Sequence, residues 1–127
     1  MGLRVGADIA RVDDVAGSLA RFGDRYLERV FTPHEIASCT GAPAVMAASL
    51  AARFAAKEAT IKVLRPTDLT PGWRTIEVRR SPSGWCELRL SGEAAQLAAD
   101  ADITELALSL THDRDIAAAV VLAQCGS

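Results

Sequence analysis

The chain has 127 residues, 50% apolar but only 5% aromatic, so we expect a single domain over residues 1–127 with a core of Ala, Leu, Val and Ile. The net charge of −2 argues against general nucleic-acid affinity, which needs a basic surface. The N-terminal residues lack the apolar region of a signal peptide, and no stretch reaches the length of a membrane span. We therefore expect a soluble cytoplasmic protein without membrane contact.

The first residues predict a strand and a helix. Apolar residues alternate with others over residues 3–10, the period-two pattern of a strand, and Asp8 lies on the face opposite the apolar set. Asp13 or Asp14 can cap the helix that follows, and this helix is expected to end at Gly23.

Two short helices come next. Asp24 can cap one or two turns over residues 24–30. A stronger start signal is Thr32, which can cap a helix with Pro33 at its first position and Glu35 completing a capping box. That helix is expected to end near residue 39.

A long helix is predicted over residues 49–64, after a loop over 41–44, because the stretch is rich in alanine and contains no Gly or Pro. At helical spacing the large apolar residues lie along one stripe of the helix, which contains Leu50, Phe54, Ile61 and Leu64. Lys57 lies in the middle of this stripe. The opposite side is made of alanines and Val63. A helix that is apolar on every side belongs inside a protein.

The four charged residues of this helix then need partners, because an unpaired buried charge is costly. Glu58 and Lys62 stand four residues apart in the favourable order and can pair with each other. Arg53 and Lys57 either extend along the stripe with their charged ends in water or bind something negative. We predict the second arrangement, an anion-binding site on a buried helix.

The second half of the chain completes an α+β fold: an antiparallel sheet packed on the long central helix, with helices on one side. After a loop over 65–74, the pattern predicts a hairpin with strands over 75–80 and 85–90 and a turn over 81–84. A helix over 92–101 follows. The chain then forms a second pair of strands, over 106–111 and 116–122, with a turn over 112–115, and the last strand is expected to be buried. The cysteines Cys39, Cys86 and Cys125 are odd in number and far apart, which predicts reduced thiols rather than disulfides or zinc ligands.

Two carboxylates could join the cations of the central helix. Asp8 on the first strand and Glu58 on the helix are each, taken alone, commonly structural. Together with Arg53, Lys57 and Lys62 they could hold a hard cation and a phosphate group. Magnesium takes oxygen ligands and commonly uses one or two carboxylates with substrate phosphates and water.

Motifs along nearly the whole chain resemble the holo-acyl carrier protein synthases, the small phosphopantetheinyl transferases. The matching segments are Gly6-Ala7-Asp8-Ile9, Phe31-Thr32-Pro33-His34-Glu35, Arg53-Phe54-Ala55-Ala56-Lys57-Glu58-Ala59 with Lys62, Ile76-Glu77-Val78, Ser109-Leu110-Thr111-His112-Asp113 and Ala117-Ala118-Ala119-Val120-Val121. The run around Lys57 and Glu58 is the most specific of these.

The resemblance implies a magnesium-dependent transfer of the phosphopantetheine arm of coenzyme A to a serine of an apo acyl carrier protein, with adenosine 3',5'-bisphosphate released. It implies that Asp8 and Glu58 bind the metal and that Lys62 is catalytic or neutralises phosphate. Glu58 is the candidate base for the carrier serine, directly or through a water. His112 could contact the nucleotide, assist proton transfer or only close a hairpin. The implied coenzyme A contacts are Arg53, Lys57, Lys62, Gly84, Ser109, Thr111 and His112.

The resemblance also implies a homotrimer with its site between subunits. In the family, an arginine that helps to dock the acidic carrier follows the first strand, whereas this chain has Asp13 and Asp14 there. A substitute basic patch could come from Arg11, Arg21, Arg25 and Arg29. The family's hairpin Gly-x-Pro is here Gly84-Trp85-Cys86.

The carrier could therefore belong to a fatty acid, polyketide or peptide synthase. Two other functions stay open at this point. One is a catalytically idle subunit that binds carriers or nucleotides during assembly. The other is a structural trimer whose charged helix only forms ion pairs between subunits.

Overall fold

The computed structural model describes residues 2–126. Its elements, in chain order, are β1 (Gly2–Arg11), α1 (Val12–Phe22), α2 (Asp24–Val30), α3 (Pro33–Ser38), α4 (Pro43–Leu64), a short 3-10 turn (Trp73–Thr75), β2 (Ile76–Arg80), β3 (Cys86–Leu90), α5 (Gly92–Asp100), β4 (Ile103–His112) and β5 (Ile116–Cys125). Across this described part, no helix is long and apolar enough to cross a membrane. The α+β class is confirmed.

The strands form two antiparallel sheets, one of three strands in the order β1-β5-β4 and one hairpin of β2 and β3. The prediction of a single sheet is wrong, because alternation along a segment identifies a strand but not the strand it pairs with. Helix α4 contacts both sheets and lies on one face of the larger one. It is the central element of the fold.

Local signals set several element ends. Thr32 and Glu35 form the predicted capping box, with Pro33 in the first turn of α3. Helix α1 ends at Gly23 as predicted, but its N-cap is Arg11 and no side chain caps it. The predicted cap by Asp13 or Asp14 is wrong: both lie inside the first turn, where their charge complements the helix dipole.

On strands β1 and β5, the sheet face toward α4 is built mainly from small residues, and Val121 and the leucines of β4 complete it. It presents Gly6, Ala10, Ala117, Ala119 and Ala123 to a helix face of Ala55, Ala56, Ala59 and Val63. Small side chains on both surfaces let the helix approach the sheet closely, and this explains an alanine-rich core with few aromatic residues.

Gly6 marks a close approach of β1 to α4. A Cβ atom at this position would lie 2.2 Å from the carbonyl oxygen of Ala59, which is helix backbone and cannot move aside freely. We therefore expect Gly6→Ala to lower the free energy of unfolding by about 1–3 kcal/mol, as overpacking does in other cores. Chemical denaturation measures this. Gly2→Ala is the matched control, since its Cβ would meet no atom within 4 Å; equal effects of the two variants would contradict the packing argument.

The opposite face of the three-stranded sheet is apolar and uncovered in the single chain. The alternation predicted for β1 is present, but its apolar residues point away from α4. The large side chains on this outer face are Leu3, Val5, Ile9, Ile116, Val120 and Leu122, exposed by 43–69%. Strand β5, predicted to be buried, is covered on its α4 side only. An apolar surface of this size is typical of an interaction face.

Candidate active site

Two carboxylates meet where β1 packs on α4. Asp8 lies on the α4 side of β1, two residues after Gly6, and its carboxylate lies beside that of Glu58, close enough to raise the pKa of Glu58. Asp8 Oδ1 also accepts a hydrogen bond from the backbone N–H of Ile9 at 2.8 Å. Burial raises the pKa of Glu58, and the hydrogen bond and charge of Asp8 raise it further, while the Lys62 charge opposes them. The sequence-predicted meeting of Asp8 and Glu58 is therefore present within one chain.

Lys62 belongs to the same cluster. Its ammonium donates to the Ala7 carbonyl at 2.9 Å and lies 3.7 Å from Asp8 Oδ1. The predicted Glu58–Lys62 ion pair does not form in residues 2–126, because the β1 backbone and Asp8 bind the ammonium instead. The Lys62 side chain is still 56% exposed, so a ligand can reach it.

The donor chemistry of this cluster fits a hard cation. Two carboxyl groups in contact repel each other when both are ionised, and a cation between them removes that repulsion. Residues 2–126 contain no group of three or more Asp, Glu, His or Cys suited to a metal. Within one chain, Asp8 and Glu58 would be the protein ligands of a magnesium ion, which matches its habit of taking few protein ligands with phosphate and water.

A cavity of about 470 Å³ lies between the hairpin, α4 and the free edge of β4. It is lined by five of the predicted ligand contacts, Arg53, Gly84, Ser109, Thr111 and His112. Its wall contains two arginines, Arg53 and Arg80, and no acidic residue. The cavity is suited to an anionic ligand.

Arg53 is the strongest sign of such a ligand. The residue is 5% exposed, its Nη1 donates to the Ser49 carbonyl of its own helix at 3.1 Å, and its Nε has no hydrogen-bond partner. No carboxylate lies within ion-pair distance of it in the described chain. Because a buried charge without a counter-charge is costly, this guanidinium is set up to bind an anion that enters the cavity.

Lys57 has a different role from the one predicted. Its ammonium is fully buried and donates to Glu35 Oε1 at 2.7 Å and to the backbone carbonyls of Trp73 and Ile76. Glu35 in turn accepts from the backbone N–H groups of Thr32 and Val78. All three ammonium protons are used, so Lys57 has none left for a ligand, and the predicted coenzyme A contact by Lys57 is corrected to a structural one.

The side chains nominated from sequence fall into two separate groups within one chain. Asp8, Glu58 and Lys62 form the carboxylate cluster, and none of them lines the cavity. Asp8 and Leu110 both pair with Ala119, so β1 and β4 stand on either side of β5, about 10 Å apart. A ligand that uses both groups needs a long, extended shape or a second subunit.

Sequence reasoning missed several cavity residues. Arg80, Trp85 and Cys86 of the hairpin and Ser49 of α4 also line the cavity. One signal in the sequence could have found Trp85: a large aromatic residue directly after the turn glycine, where a solvated turn normally carries polar residues. Cys39, Cys86 and Cys125 form no disulfide in the described part of the chain.

A second surface feature is basic and lies between α1 and α2. Arg25 and Arg29 line a groove of about 440 Å³ with Phe22 and Tyr26, and the Arg21 guanidinium lies 5.5 Å from the centre of the Phe22 ring. Arg11, the fourth arginine of the predicted patch, borders a neighbouring cavity. Two of the four arginines, Arg25 and Arg29, therefore line one groove with aromatic side chains, whereas Arg11 and Arg21 lie outside it.

Comparison with known proteins gives one consistent result. The chain matches the 4'-phosphopantetheinyl transferase superfamily over residues 4–121. The holo-[acyl-carrier-protein] synthase of Nitratidesulfovibrio vulgaris (strain DP4) is 43% identical over 120 residues, covering 93% of this chain and 94% of that protein. The enzyme of the same name from Dehalococcoides mccartyi (strain ATCC BAA-2266 / KCTC 15142 / 195) is 38% identical over 122 residues, covering 96% and 98%.

Solved structures agree. The ACPS–CoA complex of Chronobacterium ammoniagenes superposes with a TM-score of 0.88 at 34% identity, covering 100% of both chains. The Helicobacter pylori holo-[acyl-carrier-protein] synthase in complex with coenzyme A superposes with a TM-score of 0.81 at 30% identity, covering 95% of this chain and 100% of that one.

Proposed function

Since the chain belongs to the holo-acyl carrier protein synthase family of phosphopantetheinyl transferases, we propose that it transfers the phosphopantetheine arm of coenzyme A to a serine of an apo acyl carrier protein. In this proposal the reaction depends on magnesium and releases adenosine 3',5'-bisphosphate. The observation that carries this proposal is the contact between Asp8 and Glu58 beside Lys62. This cluster combines ligands for a cation with a reachable cation for phosphate.

The residues present suit phosphoryl transfer, in which the protein mainly positions the reactants and balances charge. Magnesium held by Asp8 and Glu58 would neutralise the diphosphate of coenzyme A. Lys62 offers its exposed ammonium to a phosphate oxygen or to the leaving group. Glu58 is the candidate acceptor for the proton of the carrier serine.

The nucleotide of coenzyme A fits the arginine-lined cavity. Arg53 supplies the buried positive charge, and Ser109, Thr111 and His112 offer hydrogen-bonding groups at the rim. His112 is proposed as a nucleotide contact, since it lies at the cavity and not in the carboxylate cluster. Two relatives of this chain were solved with coenzyme A bound, which supports the same ligand here.

We propose further that the active assembly is a homotrimer in which the cavity of one subunit adjoins the carboxylate cluster of the next. Two observations support this: the uncovered apolar face of the three-stranded sheet and the separation of the two groups within one chain. Covering the apolar face in a closed ring would complete every site at once. The basic groove of α1 and α2 is then free to meet the acidic carrier.

Val5→Lys tests the assembly. Val5 is 66% exposed on the outer sheet face, and burying an unpaired lysine there has a large free-energy cost. We therefore expect light scattering to show trimers for the unchanged protein and monomers for the variant. The variant should also lose transfer activity. Leu69→Lys is the matched control, because Leu69 is 77% exposed in the loop after α4 and belongs to no strand of this sheet. A trimeric, active Val5→Lys protein would refute the proposed interface.

Subunit mixing tests whether the site is shared. Asp8→Asn damages only the carboxylate cluster and His112→Ala only the cavity, so each variant alone should be poor. Equal mixtures that are unfolded and refolded together should regain about a quarter of the unchanged activity, because that fraction of neighbouring pairs carries both intact groups. If the mixture regains nothing, each site lies within one chain.

The reaction itself is tested by mass spectrometry. Apo carrier proteins from fatty acid, polyketide and peptide synthases are each incubated with the enzyme, coenzyme A and magnesium. We expect at least one to gain the mass of a single phosphopantetheine and an equal amount of adenosine 3',5'-bisphosphate to appear. Tight carrier binding without any mass gain under every divalent metal would instead indicate an idle assembly subunit.

A further inference from the structure

The tip of the hairpin carries an aromatic side chain in an unusual place. Trp85 is 74% exposed, although an indole is among the largest apolar groups in proteins. The turn that holds it is closed by two backbone hydrogen bonds, from Gly84 N–H to the Ser81 carbonyl at 2.9 Å and from Ser81 N–H to the Trp85 carbonyl at 2.7 Å. The turn backbone at Trp85 is therefore held in place, with an apolar surface displayed to solvent.

The indole lines the arginine cavity rather than standing alone. It shares the wall with Arg80 on the same hairpin and with Arg53 on α4, and this wall has no acidic residue. Exposed aromatic rings beside arginines form the combination that binds nucleotides, since the ring stacks on a base while the guanidinium groups hold phosphate. Trp73 cannot do this, because its ring packs on Phe54 with centroids 5.1 Å apart.

Resting on the proposed function, we propose that Trp85 stacks on the nucleobase of coenzyme A and that Arg80 binds one of the nucleotide's phosphates. Trp85 is then a specificity-determining residue: it raises the affinity for ligands that carry a planar base relative to those that carry only phosphate and ribose. Neither residue takes part in the chemical step. Their contribution appears in the affinity for the nucleotide half of the substrate.

Calorimetric titration with adenosine 3',5'-bisphosphate tests the stacking without requiring transfer. Base stacking on an aromatic residue contributes about 1–3 kcal/mol, so Trp85→Ala should weaken binding by about 5- to 150-fold. Trp85→Phe should recover most of the affinity. Ribose bisphosphate, which lacks the base, should bind the unchanged protein and Trp85→Ala equally.

Steady-state kinetics add a second readout. Trp85→Ala should raise KM for coenzyme A by a similar factor while kcat and the KM for the carrier change less than twofold. Nucleotide binding should also quench the fluorescence of Trp85, and this quenching should be absent in Trp85→Phe. Arg80→Gln should weaken both ligands, with and without the base, because the phosphate contact is common to them.

Three outcomes would overturn the proposal: unchanged nucleotide affinity in Trp85→Ala, an equal loss for the base-free ligand, or dissociation of the oligomer as the sole effect of the substitution. The last would make Trp85 an interface residue. Failure of the proposed function looks different, because the unchanged protein would then bind the nucleotide in a Trp85-dependent manner without modifying any carrier.

Discussion

Glu58→Gln is expected to lower the transfer rate by about 100- to 1,000-fold while the protein remains folded. The substitution preserves the size of the side chain but removes one of the two charges that would hold the cation. Asp8→Asn should act in the same way, and it retains the oxygen that accepts the Ile9 N–H. Transfer assays at saturating coenzyme A, followed by mass spectrometry of the carrier, measure the loss.

The stability of these variants separates a site defect from a folding defect. Glu58 and Asp8 bring like charges into contact, so neutralising one of them should leave the free energy of unfolding unchanged or raise it. Glu87→Gln, which neutralises an exposed carboxylate on β3, is the control and should keep full activity. Chelation of magnesium should abolish transfer by the unchanged protein. Near-normal activity in either Asp8→Asn or Glu58→Gln would remove the basis for the metal assignment.

Loss of one partner from the buried Lys57–Glu35 pair should strongly destabilise this protein. Both side chains are fully buried, and their charged ends are 2.7 Å apart. Burial lowers the pKa of Lys57, and the charge of Glu35 acts against that shift. Glu35→Gln would remove the counter-charge in contact with the ammonium and leave only the more distant charge of Glu77, at an expected cost of about 3–5 kcal/mol in the free energy of unfolding. Urea unfolding followed by circular dichroism measures it.

The pair connects three elements, and this predicts how the double variant behaves. Lys57 reaches the carbonyls of Trp73 and Ile76, while Glu35 accepts the Thr32 and Val78 N–H groups. Lys57→Met combined with Glu35→Leu removes both charges but leaves these backbone groups unpaired, so it should recover only part of the loss. Glu87→Gln again serves as the exposed control, with a change below about 0.5 kcal/mol. An equally small change in Glu35→Gln would show that the buried pair does not hold α3 and the hairpin against α4.

Several features of the fold were predictable because their causes are local. The capping box of Thr32 and Glu35, the end of α1 at Gly23 and the turn at Gly84 depend on residues within a few positions of one another. The resemblance of whole motifs extends this to the site, since it predicts Asp8, Glu58 and Arg53 as site residues. The charges of Arg53 and Glu58 on an otherwise apolar helix already indicated partners outside that helix.

Other features could not be derived from neighbouring residues. Glu35, the partner of Lys57, lies 22 residues away in the chain. The sequence around Glu35 indicates a capping box and does not indicate a contact with Lys57. The sequence around Arg80 and Trp85 indicates only a hairpin. Their place in the cavity depends on the packing of this hairpin beside Arg53 and β4. The number of sheets was missed for the same reason, since pairing between strands is decided across the chain.

The sequence by itself determined the order of the helices and strands, where several of them end, and which family chemistry the motifs indicate; it did not determine the six N-terminal residues of α4 or the first three residues of β4. The determined features follow from backbone preferences and short-range hydrogen bonds. Only the tertiary structure decided which face of β1 meets α4, because alternation is symmetrical and a glycine that allows contact with Ala59 outweighs the larger apolar residues on the other side. Only packing, likewise, could assign Lys57 to the core and leave Arg53 for a ligand: the two cations stand one helical turn apart and differ only in the charges that the rest of the fold places beside them.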